Sequence, residues 1–213
     1  RLGAVTLSRA FRGMLLDAAE RYGLEFQPLA PETTERLNAV LTVGSLVSNP
    51  IDGGFGVLSS ADNFMASIDA LHNDPNGDVV IVQEAPPRAP GSDRSGHYIR
   101  LANDYAATKA TKPIAFISPI TLGDTDYSRG VRAEAPHLSF LQEAYKGLRA
   151  IATVARRAEH ERLAGSEAAD ATPPASIQRT IIERVRSRAQ AEPVALDEAE
   201  SKNVLRAYGI STP

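Results

Sequence analysis

The sequence predicts an α/β protein: a doubly wound, mainly parallel sheet with helices on both faces, followed by a C-terminal helical extension. Three observations carry this expectation. Asp78-Val79-Val80-Ile81-Val82-Gln83 and Lys112-Pro113-Ile114-Ala115-Phe116-Ile117-Ser118 hold unbroken apolar runs, the pattern of strands buried on both faces. Segments with helical apolar spacing alternate with such runs, giving a β-α-β-α order. Hydrophobic residues make up 43% of the 213, enough for a sizeable core.

Ala4-Val5-Thr6-Leu7 reads as a short buried strand, and Ser8 to Gly13 as the loop after it. Met14 to Tyr22 then suits a helix, stopped by Gly23 as its C′ glycine. Leu24 to Leu29 reads as a second strand; Pro31 opens a helix that places Leu37, Val40 and Leu41 on one face. A strand ending near Val47 leads into the turn-rich stretch Asn49 to Gly56, and a helix capped by Ser59 or Ser60 directs Phe64, Ile68 and Leu71 inward.

Beyond the strand at Asp78–Gln83, Glu84 to Gly96 reads as a loop and His97 to Ala110 as a helix, completing another βαβ unit with the strand at 112–118. A short helix near Arg129–Glu134 and a strand at Leu138–Phe140 follow, then a helix with Leu141, Tyr145, Leu148, Ile151 and Ala155 at core spacing. The expected domain is 1–165, with 166–175 as a small, acidic linker holding Pro173-Pro174. Residues 176–213 read as two helices, the first with Ile177, Ile181 and Val185 on one face, too few for a core of their own.

Composition narrows the function classes. Its 23 basic and 26 acidic residues are interspersed to a net charge of −3, without the basic footprint of a nucleic-acid binder. Zero cysteines removes disulfides, thiolate metal sites and cysteine nucleophiles, and suits a reducing, cytoplasmic setting. No apolar run spans a bilayer, and the start at Arg1 in place of Met suggests a piece of a longer protein. The four histidines, His72, His97, His137 and His160, lack metal-ligand spacing; Walker A, GxSxG and GxGxxG patterns are also missing.

In a doubly wound sheet ligands bind beyond the carboxyl ends of the strands. Ser8-Arg9-Ala10-Phe11-Arg12-Gly13 feeds a helix whose N-terminal amides attract anions, with Arg9 and Arg12 as charged partners. The plainer account is a serine cap and solvated arginines. In Asn49-Pro50-Ile51-Asp52-Gly53-Gly54-Phe55-Gly56, the glycines admit close backbone approach while Asn49 and Asp52 contact substrate or merely fix the loop. Glu84 is a candidate acid, base or orienter of a cation, or a carboxylate that caps a neighbouring helix.

The ordered set Ser48-Asn49-Pro50-Ile51-Asp52, Asp74-Pro75-Asn76 before Asp78-Val79-Val80, and Asp17 to Leu24 resembles the NDP-forming (ADP-forming) acyl-CoA synthetases, relatives of succinyl-CoA synthetase, over almost the whole chain. Leu196 to Pro213 resembles the opening of that family's ATP-grasp domain. The resemblance implies a flavodoxin-like domain, with 176–213 leading into an ATP-grasp domain. It also implies a ligase that joins an acid to CoA with ATP and Mg2+ through an acyl phosphate and a phosphohistidine.

In such an enzyme this domain would supply a helix N-terminus near Gly13, with Ser8, Arg9, Arg12, Gly13, Asn49, Asp52, Gly53 and Gly54 at the phosphoryl and acyl site and Glu84 as an additional candidate. Its partners would be the CoA-binding, phosphohistidine and ATP-grasp domains of one protein, which is also an expected homo-oligomer. The family's Ser-His-Thr-Gly does not occur here, so the chain alone is expected to be inactive. Where relatives carry adjacent glycines after the serine, this chain has Arg9, Ala10, Phe11 and Arg12, which disfavours a flat nest of amides and leaves arginine as the anion ligand. Ile51–Ser59 and Gln83–Arg88 resemble the branch acting on hydroxycinnamates such as ferulate. The competing expectation is a non-catalytic docking domain; a hydrolase or reductase on the same fold lacks its nucleophile elbow or dinucleotide fingerprint.

Overall fold

The computed structural model describes residues 1–41, 44–91, 93–167, 176–189, 196–207 and 210–212. The chain divides into two compact units, Arg1–Arg157 and Ala158–Pro213.

In the first unit β1 (Leu2–Thr6) leads into α1 (Arg9–Tyr22), then α2 (Pro31–Val40), β2 (Ile51–Asp52), α3 (Gly54–Leu58), α4 (Ala61–Asn73) and β3 (Val79–Val82). The chain continues through α5 (Asp93–Thr108), β4 (Ile114–Ser118), α6 (Asp126–Ala133), β5 (Ser139–Gln142) and α7 (Ala144–Glu167). The five strands are all parallel, in the order β2-β1-β3-β4-β5. That is the flavodoxin-like winding, whose switch point falls between β1 and β3.

Strand alternation sorts the core into two layers. Val5, Val80, Val82, Ile114 and Phe116 pack with Phe64 and Ile68 of α4 and Tyr98 and Ile99 of α5. Leu2, Ala4, Ile81 and Ile117 pack on the other face with Phe11 and Leu15 of α1 and Ala144 and Leu148 of α7. Both faces being covered is why β3 and β4 read as continuous apolar runs. Helix α1 ends as expected: Gly23 takes φ 67, and its N–H reaches the Glu20 carbonyl.

Several boundaries differ from the sequence expectation. Leu24–Leu29 forms no strand; it runs beside β1, where the Glu25 carbonyl accepts from the Leu2 amide at 2.8 Å. Pro28 has no N–H to give a ladder. The second strand is Ile51–Asp52, inside the stretch expected to be a turn-rich loop; Leu46 makes only an isolated bridge to Asp52. Helix α5 begins at Asp93 and not at His97, and Leu141 belongs to β5 and not to the following helix. Ser60 is the cap of α4, accepting from the Asn63 amide at 3.2 Å.

Under α5 lies a buried histidine. His72 Nε2 accepts the amides of Thr111 at 2.8 Å and Lys112 at 3.2 Å, so the ring is neutral with its proton on Nδ1. Burial, reinforced by the charge of Lys112, lowers its pKa from the usual 6.5, and Asp69 and Asn73 oppose the shift. A lowered folded pKa means that the contribution to stability is present above 6.5 and is lost as pH falls through the folded value. The urea midpoint is therefore expected to drop from pH 7 to pH 5 more steeply in the wild type than in His72→Gln. Equal slopes would show that the ring is not the titrating group.

In the second unit, α8 (Ser176–Ala189) and α9 (Glu198–Ala207) are joined by Arg188 and Glu200, 2.7 Å apart. Asp197 caps α9 through the Glu200 amide at 2.7 Å. Of the expected linker, residues 166 and 167 close α7, and 168–175 fall outside the described residues. Among the described residues no helix is long and apolar enough to cross a membrane, and no three His, Asp or Glu gather as a metal site.

Candidate functional site

Helix α1 starts four residues before Gly13. Ser8 is its N-cap, with the hydroxyl 3.5 Å from the Phe11 amide, so Arg9, Arg12 and Gly13 are helical residues and not a loop. Phe11 explains the early start, since it is buried against β3 and β4 at the head of the face that continues through Leu15, Ala18 and Ala19. The helix begins at the carboxyl end of β1, beside that of β2, because Asp52 pairs with Thr6 in the ladder.

At that edge Arg9 Nε donates to Asp52 Oδ2 at 3.1 Å; the arginine side chain is 75% exposed and the carboxylate 5%. The other carboxylate oxygen accepts the Gly54 amide at 3.3 Å. Gly53 is fixed by its own amide, 2.9 Å from the Thr6 carbonyl, and a β-carbon there would lie 2.4 Å from Val57 Cγ2, so a side chain does not fit. Gly54 follows at φ 49, a conformation that favours glycine. Ser8, Arg9, Asp52, Gly53 and Gly54 are thus brought together. Phe55, next in the chain, is 87% exposed.

Three candidates are placed elsewhere. Arg12 turns onto the segment before β2, donating to the Pro50 carbonyl at 2.9 Å and the Ser48 hydroxyl at 3.1 Å, and so acts as a brace between α1 and that segment. Nothing lies within 4 Å of a β-carbon built on Gly13. The Asn49 side chain sits toward the amino end of β1, bonding the Leu2 carbonyl at 2.7 Å, the Gln27 carbonyl at 2.9 Å and the Ala4 amide at 3.1 Å. Its amide takes the place of a peptide group opposite Gly3, an alignment that the two-residue β2 does not reach.

Beyond β3, Glu84 is buried and bonds Arg94 at 2.6 Å and the Ala85 amide at 3.0 Å. Gln83 Oε1 accepts the Leu7 amide at 2.8 Å, tying the ends of β3 and β1 together across the switch point. Gln83 and Arg94 were not singled out by the sequence; Gly96 hides the true start of α5, and with it the fact that Arg94 is on a first turn. A cavity of about 30 Å³ at the carboxyl ends of β3–β5, lined by Ala85, Ser118, Asp124, Arg132 and Gln142, adjoins the Glu84 segment.

Strand order, all-parallel pairing and the covering of both sheet faces by helices together define a flavodoxin-like α/β domain. The fold is similar to part of PH0766 from Pyrococcus horikoshii OT3, with TM-score 0.60 and 18% identity over 75% of this chain and 36% of that one. It is also similar to part of the dinucleotide forming acetyl-coenzyme A synthetase 1 of Ca. Korarchaeum cryptofilum in its apo form, with TM-score 0.56 and 14% identity over 75% of this chain and 33% of that one. At such identities the likeness is one of fold, and this chain spans about a third of either structure's length. No family model matches the chain, and no curated protein matches its sequence significantly.

Proposed function

We propose that the chain is the flavodoxin-like domain of an NDP-forming acyl-CoA synthetase, acting with CoA-binding, phosphohistidine and ATP-grasp domains. The observation that carries this reading is the fold likeness to about a third of an acetyl-coenzyme A synthetase, across 75% of this chain. The ordered motifs through Ser48–Asp52 and Asp74–Asn76 support it. On this reading residues 176–213 lead into the ATP-grasp domain.

The proposed chemistry uses ATP, as its Mg2+ complex, to form a phosphohistidine with release of ADP. The substrate carboxylate takes that phosphoryl group as an acyl phosphate, and the CoA thiolate then displaces phosphate from the acyl carbon. This domain contributes the Ser8-capped start of α1 and the Arg9–Asp52 pair, which together suit a phosphoryl oxygen. The exposed ring of Phe55 beside them suits an aromatic acid of the hydroxycinnamate class.

The test is ADP release from the intact polypeptide, with CoA, ATP and either ferulate or acetate. Multiple turnovers of ADP release that require both CoA and ferulate are expected, whereas the absence of acid-dependent turnover with either acid would overturn the reading. A second reading, a domain that only docks its neighbours, is favoured by an apolar groove of about 270 Å³ formed by Val79, Pro113, Ala115, Leu141, Ile151 and Val154. Under it, Arg9→Ala would leave turnover and phosphoenzyme formation unchanged.

A further inference from the structure

We propose that His72 is an acid-sensitive latch on the connection between α5 and β4: protonation of its ring releases Thr111–Pro113 from α4 while the sheet stays folded. The inference is independent of the proposed function, since the latch lies at the amino ends of β3 and β4, away from the carboxyl ends that carry Arg9 and Asp52.

The geometry allows the ring one state. His72 is 4% exposed near the end of α4, and its Nε2 accepts two backbone amides, of Thr111 at 2.8 Å and of Lys112 at 3.2 Å. Nδ1 is buried as well and has no acceptor among the described residues. An imidazolium would carry a proton on Nε2 aimed at two N–H donors, and another on Nδ1 with nothing to receive it. Such a cation loses both bonds and gains none, so it is stable only once the ring and the connection have parted and water reaches it. The charges around the ring do not change this. On α4 itself the Asp69 carboxylate is already taken by the Tyr105 hydroxyl, Asn73 and, from α2, Arg36. From α5, Tyr105 lies edge-on to His72 at 5.5 Å, with Lys109 over its ring. From the connection comes Lys112, whose ammonium donates to the Asp74 carbonyl at 2.6 Å, while the Asp74 carboxylate accepts the amides of Ala30 and Asn76. Burial and Lys112 hold the ring neutral, and Asp69 opposes them.

The connection has little apolar surface to hold it. Thr111 and Pro113 are exposed and Lys112 is half-buried, whereas Ile114 to Ser118 are buried throughout. Helix α5 closes with the Ala110 amide on the Tyr105 carbonyl, and the β3–β4 ladder opens with the Val80 amide on the Pro113 carbonyl. Between these two bonds lie the N–H groups of Thr111 and Lys112, and both end on the His72 ring. A segment with few buried contacts opens at lower cost than the whole domain unfolds, so loss of these bonds frees the connection first. The Lys112 bond to Asp74 stays as a tether. Pro113 also lines the apolar groove between α7 and the amino ends of the strands, so release of the latch reaches one wall of that groove.

The experiment is residue-specific amide exchange by NMR in the 213-residue chain between pH 7 and pH 5, with each rate divided by the intrinsic rate at that pH to give a protection. Protection at Thr111 and Lys112 is expected to fall about tenfold, because the released ring titrates near its usual 6.5 and each pH unit below that favours release by up to about tenfold. Ile81 and Phe116, inside the sheet, should keep theirs. In His72→Gln the side-chain carbonyl still accepts but does not titrate, so protection at both amides should be level across the range. Lys112→Gln removes the charge that opposes protonation and leaves the ring in place, so the fall should begin at higher pH. Parallel loss at Ile81 and Phe116 would show unfolding of the whole domain and overturn the latch. The same holds for constant protection in the wild type, for an equal fall in His72→Gln, or for an unmoved onset in Lys112→Gln.

Discussion

Phe64→Ala is expected to lower the unfolding free energy by about 3–5 kcal/mol, the usual cost of removing a buried phenyl ring. Phe64 is 1% exposed and stacks on Tyr98 with ring centroids 4.2 Å apart and an interplanar angle of 23°. The loss is more than transfer energy, because Tyr98 connects three elements. It stacks on α4, bonds the Val57 carbonyl of α3 and carries the guanidinium of Arg94 on its ring. A cavity beside it frees the ring that positions Arg94. In urea the midpoint should fall with little change in slope, and Phe64→Leu, which retains most of the apolar contact, should cost clearly less. A loss below about 1 kcal/mol would show that the α4–α5 layer closes over the gap at little cost.

The layered core was legible in sequence where its causes are local. Strands β3 and β4 announce themselves because residues buried on both faces are apolar without interruption, and Phe64, Ile68 and Leu71 fall on one helical stripe. Strand β2 is hidden because only two residues pair, between a proline and two glycines that signal a turn. The first turn of α1 is hidden because Arg9-Ala10-Phe11-Arg12-Gly13 mixes charge with a glycine that costs a helix about 1 kcal/mol relative to alanine. Burial of Phe11 decides the matter, a tertiary effect with no local signature.

The candidate site divides in the same way. Ser8, Arg9, Asp52, Gly53 and Gly54 converge because the winding alone puts the residues after β1 and β2 side by side. Arg12 and Asn49 share the sequence neighbourhood of those residues but not their end of the sheet. Arg9 and Arg12, three apart, lie on one face of α1, and the rise of about 4.5 Å between them carries Arg12 from Asp52 back to the Ser48–Pro50 segment. In an extended chain, the three residues from Asn49 to Asp52 span about 10 Å along the strand, which takes Asn49 out of reach of the carboxyl end. Spacing in sequence identifies chemistry; the rise per residue decides whether it is assembled.

That distinction makes Asn49→Ala the sharpest test of what the Ser-Asn-Pro-Ile-Asp stretch does here. The change removes the acceptor of the Ala4 amide and the donor to the Leu2 and Gln27 carbonyls at once. Both β1 residues are buried, so water does not readily replace the lost partners. With about 1–3 kcal/mol for each stranded buried group and some relaxation, the expected loss of stability is about 2–4 kcal/mol. Asn49→Asp separates the roles of the two ends of the amide. The carboxylate can still accept from Ala4 but faces two carbonyl oxygens in place of donating to them, so it should be no more stable than the alanine variant. If Asn49 instead contacts a ligand, Asn49→Ala would keep its urea midpoint and lose phosphate affinity. The geometry predicts the reverse: a lowered midpoint, with near wild-type phosphate affinity in the fraction that remains folded.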